Sequence, residues 1–146
     1  MQNFQDLLNK ALRLHKENEI KKALKIYLEI LNVQKNNSKL LYLIGTAYIQ
    51  INKFEQAIKF LNKSISIDKN NLATLNNLGG ALQEFNKFED AIKIYNKLFQ
   101  LDPNHQQAKN NIANCFTKLK NFDEAVKIYK ELIKKNPNDY VAYNNL

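Results

Sequence analysis

The chain has 146 residues, of which 45% are hydrophobic, so it is one domain's worth of sequence with enough apolar surface for a continuous core. It contains no run of about 18 apolar residues, so no segment is expected to span a membrane. The formal net charge is +8, but Arg13 is the only arginine, and nucleic-acid surfaces usually make use of arginine. Nucleic acid is therefore not expected as a partner.

The sequence repeats with a period of 34 residues, which is seen in the alanines at positions Ala23, Ala57, Ala91 and Ala125. Small residues keep the same period earlier in each unit, at Ala11, Gly45, Gly79 and Ala113. A fixed period of this length indicates an array of helical hairpins, because small residues let two helices approach closely. We place the units at 4–37, 38–71, 72–105 and 106–139, with 140–146 opening a fifth, in a single domain over 1–146.

Each unit holds two amphipathic stretches of about 14 residues, separated by a short polar break. In the second unit the first stretch runs from Ser38 to Ile51 and the second from Phe54 to Ile67. Their apolar residues follow the i, i+3, i+4, i+7 spacing of one helix face, and no segment alternates apolar and polar residues as a strand would. The predicted fold class is therefore all-α.

The breaks within the units carry asparagine, which tolerates the left-handed backbone conformation that commonly ends a helix. Three units have it at one repeat position, and the fourth is predicted to use an asparagine one place later: Asn18, Asn52, Asn86 and Asn121. Between units, Pro103 and Pro137 stop a helix, and Asn104 and Asn138 are predicted to cap the next one.

These residues resemble the tetratricopeptide repeat family, whose unit has about 34 residues and a W-x2-L-G-x2-Y…A-x3-F…P pattern. The second to fourth units match this pattern at Leu41, Ile44, Gly45, Tyr48, Ala57 and Leu61; at Leu75, Leu78, Gly79, Leu82, Ala91, Tyr95 and Pro103; and at Ile112, Ala113, Phe116, Ala125, Tyr129 and Pro137. The first unit diverges most, because Lys10 stands where an apolar residue is usual. The resemblance implies a right-handed α-solenoid, a superhelix of helix-turn-helix repeats, that binds proteins or peptides and is not an enzyme.

No catalytic, metal or cofactor site is predicted. His15 and His105 lie in polar surroundings, and both are expected to be solvated surface residues. Cys115 occupies the repeat position of Ala47 and Ala81, so it is expected to be a small buried packing residue. The sequence has no cysteine–histidine cluster, Gly-rich phosphate loop or serine elbow, so neither a metal nor a cofactor is expected.

Asparagine also recurs on the first helices, at Asn9, Asn77, Asn111 and Asn145. In the resembled family this helix face lines a concave groove. The predicted groove residues are Asn9, Tyr42, Thr46, Asn76, Asn77, Asn110, Asn111, Asn114 and Asn145. An asparagine amide offers donors and an acceptor together, so a row of them can pair with the N–H and C=O groups of an extended peptide. The row resembles the asparagine ladder in the repeat superhelix of O-linked N-acetylglucosamine transferases.

The carboxylate clamp of the family, which binds chaperone tails, needs Lys or Arg beside asparagine, and Tyr42, Asn77 and Asn111 have no basic partners. Such tails are therefore not expected to bind. On the second helices, lysines recur behind acids at i, i+4, a spacing that predicts outward-facing ion pairs. These are Glu55 with Lys59, Glu89 with Lys93 and Asp123 with Lys127. The expected partner is a protein or an extended peptide, with no nucleic acid and no membrane.

Residues 140–146 reproduce the opening of a first helix without a second helix to cover it. We therefore expect either that the natural chain continues past Leu146 or that this edge self-associates. Two alternative functions stay open: a substrate-recruiting region of a larger enzyme, such as a glycosyltransferase or another transferase, and a structural self-assembly module. The lone cysteine and the lack of a secretory signal pattern in the opening residues favour a cytoplasmic location.

Overall fold

The computed structural model describes residues 3–146, which form nine helices and no strand. The helices are α1 Phe4–Lys16, α2 Ile20–Val33, α3 Ser38–Gln50, α4 Phe54–Ile67, α5 Leu72–Glu84, α6 Phe88–Leu101, α7 Gln106–Lys118, α8 Phe122–Lys135 and α9 Tyr140–Asn145. Both helices predicted for the second repeat are confirmed to within one residue. The chain divides into two compact units, Met1–Asn77 and Leu78–Leu146, and each is described by itself.

In the first unit, α1 packs against α2, α2 against α3, and α3 against α4. The close approach of the helices depends on small residues, since Ala11, Ala23 and Ala57 are completely buried. At Gly45 a Cβ atom would lie only 2.6 Å from Cγ of Leu61, so any residue larger than glycine would have to displace the Leu61 side chain. The period of small residues therefore marks the places where helices touch.

In the second unit, α6 packs against α7, α7 against α8, and α8 against α9. The predicted burial of Ala91 is confirmed, since its side chain is 0% exposed. A Cβ atom at Gly79 would lie 2.6 Å from Cε1 of Tyr95, which repeats the contact made by the glycine of the first unit. A core of Ala113, Ala125, Tyr129, Leu132 and Ala142 completes this unit.

Four hairpin turns contain a residue in the left-handed region, with φ between 57° and 62°, namely Asn18, Asn52, Asn86 and Lys120. The turn predicted at Asn121 is therefore wrong by one residue. The backbone N–H of Asn121 donates to the carbonyl of Phe116 over 2.9 Å, a bond that closes the α7 terminus and requires Lys120 to be left-handed. At this turn the register of the hairpin decides which residue is left-handed, even though the neighbouring asparagine tolerates that conformation better than lysine does.

The predicted caps Asn104 and Asn138 are also displaced by one residue. The N-terminus of α7 is capped by His105, whose Nδ1 accepts the N–H of Ala108 over 3.2 Å. At α9 the carboxylate of Asp139 accepts the N–H of Ala142 over 3.0 Å. His105 is thus a helix cap and only half-buried, which corrects its interpretation as a solvated residue.

The outer face of α1 differs from the equivalent face of every later repeat. Asp6, Lys10 and Arg13 are exposed there. The same repeat positions are buried and mostly apolar in the later repeats, namely Leu40, Thr74, Ala108 and Ala142; Ile44, Leu78 and Ile112; and Ala47, Ala81 and Cys115. We call Asp6, Lys10 and Arg13 the charged stripe of α1. It keeps this face in contact with water.

The ion pairs predicted along the second helices do not form in the described residues. Lys93 instead contacts Asp90, three residues earlier, with 3.0 Å between Nζ and Oδ1. Both side chains are more than half exposed, so the pair adds little to stability. These lysines keep the helix surface solvated, and the predicted i, i+4 pairing was wrong.

Candidate functional site

The sixth residue of each first helix is asparagine in four of five repeats, with Leu43 as the exception. We call this set, Asn9, Leu43, Asn77, Asn111 and Asn145, the asparagine row. Asn77 and Asn111 are half-buried, whereas Asn9 and Asn145 are exposed. Asn77 and Asn111 are therefore partly enclosed, each within its own unit, while Asn9 and Asn145 are open to solvent.

Asn77 is oriented by a hydrogen bond to a neighbouring first helix within the same unit. Its Nδ2 donates to Oγ1 of Thr46 over 3.0 Å, and that hydroxyl in turn donates to the carbonyl of Tyr42 over 3.0 Å. An asparagine amide has a second N–H and an acceptor oxygen besides this donor. Asn77 thus keeps one donor and one acceptor beyond the bond that orients it.

Asn111 is oriented from within its own helix. Its Oδ1 accepts from Nε2 of Gln107 over 3.3 Å. Burial raises the pKa of Tyr95 well above its usual value, and the nearby Asn111 side chain opposes this shift. The phenol therefore stays neutral and provides a fixed polar point beside the asparagine row.

The outer members of the row show related contacts. Oδ1 of Asn9 accepts from Nε2 of Gln5 over 3.1 Å, one helical turn earlier. Burial raises the pKa of Tyr129, and the nearby side chains of Thr117 and Asn145 oppose this shift. In α7 and α9, members of the row therefore meet the buried tyrosine of the preceding second helix.

The other predicted groove residues do not all reach an open surface. Tyr42, Asn76 and Asn114 are half-buried, whereas Asn110 is only 7% exposed. Oδ1 of Asn110 has no hydrogen-bond partner among the described residues. The assignment of Asn110 to an open groove is corrected, because its side chain is enclosed in the interior of its unit.

His15 is not the solvated residue that the sequence analysis expected. Its Nδ1 lies 3.2 Å from the hydroxyl of Tyr27, and its Nε2 lies 2.6 Å from Oε1 of Gln50. The imidazole is half-buried and joins three helices of the first unit. A signal was present in the sequence, because His15 lies 12 residues before a tyrosine that recurs with the repeat period.

Cys115 is fully buried, as predicted from its repeat position. Burial raises the pKa of its thiol to about 11, so the thiolate is scarce at neutral pH. In the part of the chain that the structure describes, no three His, Cys, Asp or Glu side chains come together as metal ligands would. Within residues 3–146, no helix is both long and apolar enough to cross a bilayer.

Two family models match the sequence, and both describe a tetratricopeptide repeat. One matches residues 38–71 and the other matches residues 81–146, so together they account for more than half of the chain. The first match coincides with the second unit placed from the 34-residue period, and the other begins within the third unit and runs to the end of the chain. No curated protein matches the chain significantly in sequence.

Several solved structures share this fold. The crystal structure of MamA is 21% identical, with a TM-score of 0.86 over 92% of this chain and 79% of that one. A tetratricopeptide repeat protein from Parabacteroides merdae is 20% identical, with a TM-score of 0.88 over 99% of this chain and 58% of that one. The first TPR of Spaghetti (RPAP3), bound to the HSP90 peptide SRMEEVD, is 23% identical, with a TM-score of 0.75 over 81% of this chain and 94% of that one. At these identities the likeness concerns the fold.

Proposed function

The chain belongs to the tetratricopeptide repeat family, and from this premise we propose that it is a protein-interaction scaffold whose asparagine row binds an extended peptide. A structural relative, the first TPR of Spaghetti (RPAP3), was solved with a bound peptide, which supports this class of ligand. The present chain differs in its chemistry, since its predicted groove is rich in amides and has no paired basic residues. We therefore propose that it recognises peptide backbone more than side-chain charge.

The observation that carries this proposal is the orientation of Asn77 by Thr46. With one N–H committed to Oγ1 of Thr46 at 3.0 Å, the amide keeps one N–H and its oxygen for a ligand. In an extended chain, the N–H and C=O of one residue point to the same side of the strand and can pair with these two groups. Because the amide is already oriented, less side-chain entropy is lost when a peptide binds.

The test uses peptides selected from a displayed random library, synthesised with and without N-methyl groups on the backbone, and titrated by calorimetry. We expect N-methylation to weaken binding at least tenfold, because it removes the peptide donors. The double variant Asn77→Ala with Asn111→Ala removes two to four hydrogen bonds, each worth about 0.5–1.5 kcal/mol, so it should bind at least tenfold more weakly.

A matched control is the double variant Asn62→Ala with Asn96→Ala, which removes two exposed asparagines from the second helices. It should bind like the wild type. Circular dichroism melts of both double variants establish that they fold. Equal affinity of the Asn77→Ala, Asn111→Ala variant and the wild type, or indifference to N-methylation, would remove the proposal.

Self-association is a second candidate function, favoured by the exposed apolar side chains of α9. Tyr140 is 75% exposed, Tyr143 is 52% exposed and Leu146 is 50% exposed. Burying these groups between two copies would release apolar surface from water. Light scattering should show mass rising with concentration in the wild type but not in the Tyr143→Ser, Leu146→Ser variant. A wild-type monomer at every concentration would exclude this candidate.

A further inference from the structure

The fourth repeat contains an ion pair at a place where the earlier repeats have apolar residues. Lys109 replaces the leucine found at the equivalent positions Leu7, Leu41 and Leu75. Its Nζ lies 2.7 Å from Oε2 of Glu131 and 5.5 Å from the ring centroid of Phe99. The ammonium of Lys109 on α7 therefore contacts both the carboxylate of Glu131 on α8 and the ring of Phe99 on α6.

The residues that lie 68 positions before Phe99, Lys109 and Glu131 are Leu31, Leu41 and Lys63, respectively. They line a cleft of about 470 Å³ in the first unit, which we call the basic cleft. The cleft is bounded by the end of α2, by α3 and by the last turns of α4. Its full lining is Leu31, Asn32, Lys35, Asn36, Leu41, Lys63, Ser66 and Ile67.

The basic cleft contains two cations and no acid. Lys63 stands at the repeat position of Glu131, and Lys35 stands where the third and fourth repeats have Pro103 and Pro137. Neither lysine is within 4.0 Å of a carboxylate among residues 3–146. Where the fourth repeat has the carboxylate of Glu131 on α8, the second repeat therefore has the ammonium group of Lys63 on α4.

The rest of the lining suits an anion attached to an apolar body. The floor is made by the buried Leu41 and the half-buried Leu31, while Ile67 is 47% exposed at the rim. The amides of Asn32 and Asn36 can donate to an oxygen, whereas the hydroxyl of Ser66 already donates to the carbonyl of Lys63 over 2.8 Å. A volume of about 470 Å³ accommodates more than a single inorganic anion.

We propose that the basic cleft binds an acidic segment of a partner protein, with a carboxylate between Lys35 and Lys63 and an adjacent aliphatic side chain over Leu31 and Ile67. Both lysines are exposed, so their attraction for a carboxylate is screened by salt. This surface is distinct from the asparagine row, so the two sites can be tested separately.

The probe is an acetylated and amidated hexapeptide of alternating Glu and Leu, titrated into the full chain labelled with ¹⁵N. We expect amide shifts in residues 31–41 and 63–67 at low ionic strength, with an affinity that falls at least threefold between about 50 and 200 mM salt, since screening weakens charge pairs. The same peptide with Gln in place of Glu should bind at least tenfold more weakly. Inorganic phosphate is titrated separately as a small anion.

The variant Lys63→Glu recreates the charge found in the fourth repeat and should reduce the affinity for the Glu peptide at least tenfold. Lys53→Glu is its matched control, because it makes the same charge change at the opposite end of α4 on an exposed residue, and it should bind within twofold of the wild type. The double variant Asn77→Ala with Asn111→Ala should also bind this probe normally, which separates the cleft from the proposed peptide groove.

Three results would overturn the proposal: equal binding of the Glu and Gln peptides, unchanged binding by Lys63→Glu, or shifts confined to α1, α3 and α5. Phosphate binding as tight as peptide binding would also overturn it, because the cleft would then be a site for a small anion. If Lys63→Glu does not fold, Lys35→Gln replaces it with the same expectation, since Lys35 lies in an exposed connection between helices.

Discussion

The hydroxyl of Tyr27 lies 3.2 Å from Nδ1 of His15, which is 12 residues earlier in the same repeat. The phenol is buried, and burial raises its pKa to about 12, so it remains neutral and needs a hydrogen-bond partner. Nε2 of the same imidazole lies 2.6 Å from Oε1 of Gln50. One side chain thus satisfies a buried hydroxyl and connects the first repeat to the second.

The other repeats follow the same rule with different residues. The Tyr95 hydroxyl lies 3.5 Å from Oε1 of Gln83, and Tyr129 is contacted by Thr117, each 12 residues earlier. In the second repeat the tyrosine is replaced by Leu61, and the partner position holds Ile49. The residue at the partner position is polar where a hydroxyl must be satisfied and apolar where there is none.

This relationship predicts energetic coupling between His15 and Tyr27. His15→Ile alone should cost about 1–3 kcal/mol, because it leaves the Tyr27 hydroxyl buried without a partner. Combining it with Tyr27→Leu, which recreates the Ile49 and Leu61 pair, should cost at least about 0.5 kcal/mol less than the sum of the single changes. Urea unfolding of the four proteins measures the cycle, and strictly additive costs would contradict the coupling.

A second prediction concerns the turn before α8. Lys120 adopts a φ of 60°, a conformation that penalises a residue with a large side chain more than asparagine or glycine. Lys120→Asn should therefore stabilise the protein by about 1 kcal/mol, measured by urea unfolding. The reverse change at the equivalent turn, Asn52→Lys, should destabilise it by a similar amount. A loss of stability in Lys120→Asn would refute this explanation of the turn.

The pair between Lys109 and Glu131 predicts a dependence of stability on pH. The hydrogen bond and the charge of Lys109 lower the pKa of Glu131 below its usual value of 4.5. A lowered folded pKa contributes stability above the unfolded pKa, and this contribution is lost as the pH falls through the folded pKa. At pH 7 the free energy of unfolding of the wild type should exceed that of Glu131→Gln by less than about 1 kcal/mol, because the Glu131 side chain is largely exposed.

The difference between the wild type and Glu131→Gln should shrink as the pH falls below 4.5, the usual value for a glutamate. Thermal melts at neutral pH and through the acidic range measure it. Glu124→Gln serves as the control, since Glu124 is exposed on the same helix and makes no ion pair within the described residues. A difference that grows toward acid would contradict the assigned sign.

Cys115 is predicted to be slow to react. Its side chain is fully buried, and its pKa of about 11 leaves little thiolate at pH 8. Alkylation by iodoacetamide should therefore be at least tenfold slower in buffer than in denaturing urea, followed by mass spectrometry. Rapid modification of the native protein would show that α7 opens readily or that the thiol is accessible.

The repeat contacts predict that side-chain size is restricted at Ala91. This residue is 0% exposed between α6 and its neighbours, so Ala91→Leu should overpack the contact and cost about 1–3 kcal/mol. Ala73→Leu on α5 makes the same change at an exposed position and should alter stability by less than about 0.5 kcal/mol. A melting temperature unchanged by Ala91→Leu would contradict the packing.

The parts of the fold that the sequence predicts best are those that repeat. The helices Ser38–Gln50 and Phe54–Ile67 and the burial of Ala57 follow from a period that averages over four units. The errors arise where one residue departs from its repeat, as Lys120 does at its turn. There the hairpin register determines the conformation, and the preference of a neighbouring asparagine does not.

The candidate site was harder to predict because it depends on contacts between helices. The period correctly aligns Asn77 with Asn111, but nothing in one sequence shows that Thr46 would accept a hydrogen bond from Asn77. The polar residues around His15 in the sequence likewise suggested that it is solvated. Its hydrogen-bonding partners could not be recognised because they lie 12 and 35 residues away. Asn110 was assigned to the groove from the asparagine beside it, although the two side chains point in different directions on a helix.

The charged stripe of α1 has a consequence for how copies of the chain can associate. Placing α9 of one molecule against α1 of another would bury the charges of Lys10 and Arg13, which is costly. Contact between two α9 helices buries only apolar and amide groups, such as those of Tyr143 and Leu146. If the self-association proposed for α9 occurs, these charges favour an isologous contact between two α9 helices, and such a contact closes at a dimer without leading to open-ended fibres.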